Sequence, residues 1–444
     1  MKIQLIKLWE LLRSSYWFVP SQMAIIASGL AFIMLWLDKA GKIGLIEKLG
    51  WIYTGGPDGA RTLLSTVAGS MITVAATAFS ITIVSLTLAS SQFGPRLLRN
   101  FMQDRGNQIV LGTFIATFIY CLLILRTIRG ADYNAFVPQI SVTFGVLLAI
   151  ASIGVLIYFI HHAAASIQAD NVIAEVSEAL EDAMNRLFPE QIGQANSTQP
   201  QGWVAEISGN FDAEASPVKV AGSGYIQAID DDKLMEIAKS NDLILRLQYR
   251  PGNFVVQGND LVMVYPGKLV NEKLTEKINE TFILGSQPTD QQDIEFAINQ
   301  LVEIAVRALS PGINDPFTAI RCIDQLSVAL SHLAQRQLPS PYRYDHDNNL
   351  RVIANQVTFA GLTDAAFNQI RQYGCSDVAV TIRLLEAIAV IAISTYYPKQ
   401  LEALRRQAIM IRRSSAQAIT EEWDCKDIEQ QYWTTLRAIE RSLA

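Results

Sequence analysis

Charge is scarce in this chain, and the shortage is uneven. Only 18% of its 444 residues are charged, against about 25% in typical soluble proteins, and the deficit falls in roughly the first 160 residues. The net charge is −6, with no long basic patch, which argues against nucleic acid as a partner. The sequence therefore predicts a membrane half followed by a soluble half.

Metal-ligand and catalytic motifs are also missing. The four cysteines and four histidines show neither CxxC pairing nor the spacing of a zinc site, so no metal and no cofactor are expected. A nucleophile elbow, a phosphate-binding glycine loop and an HExxH motif are all absent. We therefore expect that the protein is not an enzyme. A cleavable signal peptide is not indicated either, because the first apolar run is long enough to stay in the bilayer.

What the sequence does contain is four apolar segments near the 20 residues that a helix needs to cross a bilayer. They predict a transmembrane domain over residues 1–162, with spans at about 17–37, 62–91, 109–125 and 136–160. Basic residues divide evenly between the two sides, so the positive-inside rule does not orient the spans. Unpaired cysteines in the soluble region favour a reducing compartment, and both termini are therefore placed in the cytoplasm.

The second span carries eight positions at alternating spacings of four and three residues, which form one face of a helix, and seven of the eight are hydroxyl side chains, the exception being Val84. Two interpretations stay open: close packing between helices, and the lining of a pore in which hydroxyls replace part of an ion's hydration. The pore-lining candidates are Thr66, Ser70, Thr73, Thr77, Ser80, Thr87 and Ser91.

Three arginines follow the second span, after Pro95 breaks the helix. Arg96, Arg99 and Arg105 are predicted to lie on a short loop at the inner surface. They suit contact with lipid headgroups, and they also suit a basic ring at the inner mouth of a pore, which would favour anions.

The soluble region divides into three predicted parts. Residues 163–202 form a connecting helix and a polar linker, residues 203–287 a small β-rich module, and residues 288–444 a helical cytoplasmic domain. The string PGNFVVQG at 251–258 resembles a hairpin of biotinyl- and lipoyl-type hybrid barrels, which favours a barrel or sandwich. Lys233 lacks the setting of the modified lysine in that family, so no modification is expected.

One loop of the helical domain combines a helix start with basic side chains. The string SPGINDP at 310–316 ends one helix and caps the next. Capping explains this loop, and a pocket for a small anion is the alternative, since a helix N-terminus beside arginines suits one. The soluble-pocket candidates are Arg307, Asn314, Asp315, Arg321 and Arg371.

Several long strings match a known family. They are LRSSYWFVP at 12–20, DGAR at 58–61, SSQFGPR at 90–96, RGNQ at 105–108 and SPGINDP at 310–316. On these the chain resembles a bacterial family of predicted membrane proteins of unknown function. The resemblance implies a multi-pass protein of the bacterial inner membrane, and it supplies no activity, cofactor or catalytic residue.

The sequence thus predicts a multi-pass α-helical membrane protein with four transmembrane helices and an α+β soluble region. For function it favours a homo-oligomeric, channel-like pore with a cytoplasmic regulatory region, whose partners are membrane lipids, further copies of itself, and ions or a small anionic ligand. The alternative is a membrane-anchored sensor or scaffold whose soluble region binds a small anion or a protein partner.

Overall fold

The structure is a computed structural model of the chain. It describes residues 16–40, 53, 55–95, 104–129, 136–188, 211–336, 338–395 and 397–443. The chain forms two compact units, Met1–Val172 and Ile173–Ala444.

Four helices of the first unit are long and apolar enough to cross a membrane, as the sequence predicts. They are α1 (Phe18–Lys39), α2 (Pro57–Phe93), α3 (Arg105–Leu125) and α4 (Gln139–Ser166). Helix α2 has 37 residues and is therefore about 55 Å long. A bilayer core is about 30 Å thick, so this helix is longer than the hydrocarbon is deep.

Helix α3 is the centre of the membrane unit, since it packs against α1, α2 and α4. Small residues allow these close approaches. A Cβ added to Gly112 would meet Met23 and Pro20 of α1, and one added to Gly145 would lie 3.0 Å from Leu64 of α2. Gly112 of α3 and Gly145 of α4 therefore lie at contacts between helices.

The soluble unit mixes helices with two sheets. Helix α5 (Ala169–Leu187) joins the two units. The elements that follow are β1 (Ser216–Lys219), β2 (Gly224–Ile229), α6 (Asp231–Ser240), β3 (Ile244–Leu247), β4 (Phe254–Val255), β5 (Asp260–Tyr265), α7 (Glu272–Asn279), β6 (Phe282–Gly285), α8 (Ile294–Ala308), α9 (Pro316–Ala334), β7 (Tyr342–Tyr344), β8 (Leu350–Ile353), α10 (Phe359–Gly374), α11 (Val378–Ile393), α12 (Pro398–Ala418) and α13 (Glu422–Arg441).

The strands form a five-stranded sheet in the order β1-β5-β3-β8-β7 and a three-stranded sheet in the order β4-β2-β6. They share one hydrophobic core, in which Val218 and Val262 of the first sheet meet Ile226 and Val255 of the second. The described strands do not close into a barrel, so the barrel or sandwich favoured by the 251–258 string is not confirmed. Strand β4 lies within that string and β5 follows it, and the two enter different sheets.

Strand β8 lies parallel to β3, and β7 pairs with β8 as a hairpin. The sheet therefore takes strands from both the segment predicted to be β-rich and the segment predicted to be helical. Residues 189–210, which include the polar linker and the start of the predicted β-rich module, lie outside the described residues.

Candidate functional site

The hydroxyl stripe faces outward from the protomer. All seven of its predicted positions in α2 are exposed: Thr66, Ser70, Thr73, Thr77, Ser80, Thr87 and Ser91. Ser65, Gly69 and Ala76 are exposed on the same helix, and so are the larger apolar side chains of Ile72, Phe79, Ile81, Ile83, Val84 and Leu88. The exposed surface is therefore broader than the stripe and mixes small and hydroxyl-bearing residues with apolar ones. We call this surface the hydroxyl face.

The opposite side of α2 is apolar and buried. Ala75 and Ala78 are almost fully covered and pack with Val110 and Phe114 of α3. Because the buried side already makes the contacts with α3, the hydroxyl face takes no part in that packing.

The threonine hydroxyls of this face donate to their own helix. Thr73 Oγ1 lies 2.9 Å from the Gly69 carbonyl oxygen, and Thr77 Oγ1 lies 3.0 Å from that of Thr73. Thr66 and Thr87 make the same bond to the residue four positions earlier. Their protons are thus used, and the oxygens present lone pairs outward, which is the chemistry that water or a cation needs.

A second polar cluster lies at the end of the membrane unit where α4 finishes. Asp104 caps α3 by accepting from Gly106 N at 2.8 Å. Its other carboxylate oxygen lies 2.6 Å from His162 Nε2 of α4, and the His162 ring stacks on Tyr158 at 5.3 Å between centroids. This pairing ties the start of α3 to the end of α4.

Asn107 and Gln108, in the first turn of α3, are both buried. The side-chain oxygen of Asn107 has no hydrogen-bond partner. Asn107 lines a small cavity together with Thr82, Ser85 and Ser166. None of these residues belongs to the candidate sites predicted from the sequence. Their one sequence signal is the RGNQ string at 105–108.

Only one of the three predicted inner-mouth arginines falls in a described segment. Arg105 is the first residue of α3, and it is exposed. Arg96 and Arg99 lie outside the described residues, so their proposed ring stays a prediction. Gly94, just before Pro95, has a φ of 114°, a left-handed conformation that favours glycine and ends α2.

In the soluble unit, the predicted loop at 310–316 is a helix cap. Asp315 is the N-cap of α9 and accepts from Thr318 N at 3.2 Å and Thr318 Oγ1 at 2.6 Å. Asn314 adopts the left-handed conformation with φ of 51°, which asparagine tolerates. The Asp315 carboxylate therefore occupies the position at which a helix N-terminus would hold an external anion.

The predicted soluble-pocket arginines lie on three different helices. Arg307 Nε lies 3.5 Å from Glu303 one turn earlier on α8, and Arg321 is exposed on α9. Arg371 instead lies between α10 and α12, where Nη1 donates to Ser414 Oγ at 2.6 Å and Nε is buried without a partner. The described contacts do not bring Arg371 together with the 310–316 loop.

Polar side chains also join α10 to α12 one turn away. Gln407 is fully buried, and its Nε2 donates to Asp364 Oδ1 at 2.7 Å and to Asn368 Oδ1 at 3.1 Å. Asp364 also accepts from exposed Arg406 at 2.6 Å. This seam joins the two helices.

Comparison with known proteins gives a consistent result. A family model described as "Predicted membrane protein (DUF2254)" matches residues 13–390. Uncharacterized proteins of Mycobacterium bovis and Mycobacterium tuberculosis are each 33% identical over 425 residues, covering 94% of this chain and 79% of theirs. No solved structure matches the chain.

Proposed function

The chain belongs to the DUF2254 family of predicted membrane proteins, and we propose that it is a homo-oligomeric, channel-like protein of the bacterial inner membrane. In this proposal the hydroxyl faces of several α2 helices surround a common axis. The soluble unit lies in the cytoplasm and regulates the passage, and both termini are cytoplasmic.

The observation that supports this most is the exposure of every hydroxyl in the stripe. Hydrocarbon offers no hydrogen bonds, so a polar face that runs along a membrane helix favours contact with protein or water. Bonds to the helix's own carbonyls lower the cost of exposure to lipid, yet they leave the oxygen lone pairs unused. Repetition around a closed symmetry axis places those oxygens toward one another and toward water.

The stripe contains no Asp, Glu, Lys or Arg. A lining of neutral hydroxyls therefore does not select ions by formal charge, and it does not provide a proton relay. In this proposal any choice of ion charge is made at the ends of the passage, where Arg105 and Asp104 lie.

Flux across liposomes tests the pore. Full-length protein is reconstituted, and wild type is compared with Thr77→Leu and Ser80→Leu, which replace hydroxyls of the stripe with larger apolar side chains. The matched control is Thr113→Leu, because Thr113 is a partly exposed threonine of α3 that also bonds to its own helix, at 2.8 Å. We expect ion flux in wild type and in the control, and at least a tenfold loss in the two α2 variants.

Cysteine substitution tests the location of the lining. Thr73→Cys, Thr77→Cys and Ser80→Cys are made with Cys375 and Cys425 changed to serine, while buried Cys121 and Cys322 are retained. The three new thiols should react with water-soluble reagents and form disulfides between copies. A cysteine at Ile25, which is 72% exposed on α1, should stay inert as the lipid-facing control.

Protein that assembles and shows no flux under varied salts and voltages contradicts the proposal. That result supports the alternative, a membrane-anchored sensor or scaffold whose soluble unit binds a small anion or a protein partner.

A further inference from the structure

The cavity beside Asn107 is small and polar. It lies where the middle of α2, the start of α3 and the end of α4 meet, and its volume is about 20 Å³. That is room for one water molecule or one bare monovalent cation. Thr82, Ser85, Asn107 and Ser166 supply its oxygen atoms.

Asn107 is the residue that most needs a ligand here. It is 8% exposed, and its Oδ1 has no hydrogen-bond partner. Since buried polar atoms in folded proteins nearly always have a partner, an orphaned acceptor beside a cavity indicates that something in the cavity satisfies it. An amide oxygen accepts only, so the occupant is a hydrogen-bond donor or a cation.

The other lining oxygens are also acceptors. Thr82 Oγ1 donates its proton to the Ala78 carbonyl at 2.9 Å, and Ser166 Oγ donates to the His162 carbonyl at 2.8 Å. Both hydroxyl protons are therefore used. Ser166 Oγ has lone pairs left for the cavity, and Thr82 Oγ1 has one fewer because it also hydrogen-bonds with Tyr16. The cavity also adjoins the last turn of α4, and the C-terminal end of a helix carries partial negative charge that stabilises cations.

We propose that this cavity binds one monovalent cation, Na⁺ or K⁺, through Asn107 Oδ1 and the hydroxyl oxygens of Thr82, Ser85 and Ser166. Oxygen ligands beside a helix C-terminus match the Na⁺ sites of membrane transporters. Divalent cations fit poorly, because Ca²⁺ takes six to eight ligands and Mg²⁺ keeps several waters. The site also lacks a carboxylate, since Asp104, the nearest acid along α3, already contacts His162 and Gly106 N. An anion fits poorly, because Asn107 Oδ1 and the hydroxyl oxygens of Thr82 and Ser166 present lone pairs to the cavity. The site does not depend on whether the protein conducts.

Thermal unfolding of the full-length protein in detergent tests this site. The midpoint temperatures of unfolding are compared in sodium chloride, potassium chloride and choline chloride at equal ionic strength. We expect a saturable rise of about 3 °C or more in the preferred alkali salt over choline, because a ligand that binds only the folded state stabilises it. The salt that gives the larger rise identifies the cation.

Variants assign the effect to the cavity. Asn107→Ala should abolish the alkali-specific rise, and Ser85→Ala, a smaller change, should weaken it. The matched control is Ser65→Ala on the same helix, since exposed Ser65 bonds back to the Thr62 carbonyl at 3.0 Å away from the cavity, and this variant should keep the full rise. If Asn107→Ala does not fold, the comparison of Ser85→Ala with Ser65→Ala shows whether the alkali-specific rise arises from the cavity.

Equal midpoints in all three salts overturn the proposal and leave a bound water as the occupant. An alkali-specific rise that survives both Asn107→Ala and Ser85→Ala also overturns it, because the cation then binds elsewhere. Flux is not part of this measurement, so a failed pore and a failed cation site give different results.

Discussion

His162 Nε2 and Asp104 Oδ2 lie 2.6 Å apart, although 58 positions separate them in the chain. The pair joins the last turn of α4 to the N-cap of α3. Gly106 is what allows the approach, because a Cβ there would lie 2.7 Å from His162 Nε2. The start of α3 and the end of α4 are thus held together by the Asp104–His162 pair, and Gly106 leaves room for it.

Gly106→Ala should therefore destabilise the membrane unit by about 1–3 kcal/mol, since an added methyl group forces the imidazole away from Asp104. The control is Gly154→Ala in α4, where an added Cβ meets nothing within 4 Å. That variant should be neutral or stabilising by up to about 1 kcal/mol, because alanine favours helix. Unfolding midpoints of the two full-length variants provide the measurement, and equal midpoints would contradict the proposed contact.

The two sides of α2 should differ in their tolerance of larger side chains. Ala75 is 3% exposed and packs against α3, so Ala75→Leu overfills that contact and should cost about 1–3 kcal/mol. Neighbouring Ala76 is exposed, so Ala76→Leu should leave the protomer's folding unchanged. Midpoints and size-exclusion profiles of both variants test this. If Ala76→Leu alone unfolds the protomer, the assignment of faces is wrong.

Asp293 should make the soluble unit less stable as pH rises. Burial, followed by the nearby Glu295 carboxylate, raises the pKa of Asp293 to about 6. The ordinary value is about 3.9, so between these values the folded state binds more protons and stability falls with rising pH. Asp293→Asn retains the cap of α8 and removes the free-energy cost of ionising a buried carboxyl group. Allowing for the partial exposure of this side chain, the variant's free energy of unfolding should be about 1 kcal/mol higher than that of wild type at neutral pH.

The gain from Asp293→Asn should vanish near pH 4, where the wild-type carboxyl is also largely protonated. Unfolding midpoints across this pH window provide the test. A gain that is the same at both ends would show that the carboxylate's charge is not the cause.

Asp345 should show the opposite pH dependence. The Arg351 guanidinium bonds to it at 2.8 Å, and this bond, with the backbone N–H groups of Asn349 and Asp347, lowers the pKa of Asp345 to about 2. Its contribution to stability is therefore full above about pH 4 and lost as the pH falls through about 2.

Asp345→Asn should lower the unfolding midpoint at neutral pH, with a smaller difference from wild type in acid. The control is Asp347→Asn in the same turn, whose exposed carboxylate pairs with Lys239 at 3.0 Å. Exposed pairs contribute little, so this change should stay within about 1 kcal/mol. Equal losses in the two variants would contradict the role of the buried carboxylate.

Much of the local structure could be predicted because it depends on near neighbours. Apolar runs of bilayer length gave the four membrane helices, and the Ser-Pro-Gly break with Asp315 gave the cap of α9. The recurring hydroxyls gave one face of α2 correctly, since helical geometry fixes which residues share a side. The resemblance to a family of predicted membrane proteins is likewise confirmed by the family match.

The residues that meet across the chain were harder to predict. Arg351 bonds to Asp242 at 2.6 Å across 109 positions, and β8 joins β3 in parallel. Asp38, at the end of α1, caps the start of α4 by accepting from Ser141 N at 3.0 Å. Such pairs depend on which helices and strands pack against each other. The spacing of residues in a single sequence does not reveal this.

The sequence by itself determined that the chain has four helices long and apolar enough to cross a membrane, and that one of these helices has a hydroxyl face. Both properties follow from composition and from the period of the helix, which act over a few residues. Only the tertiary structure decided that this face points away from α3, and that Asn107 lies unpartnered beside a cavity. The reason is physical: the direction of a face and the satisfaction of a buried oxygen depend on which helices surround it, and those neighbours come from distant parts of the chain.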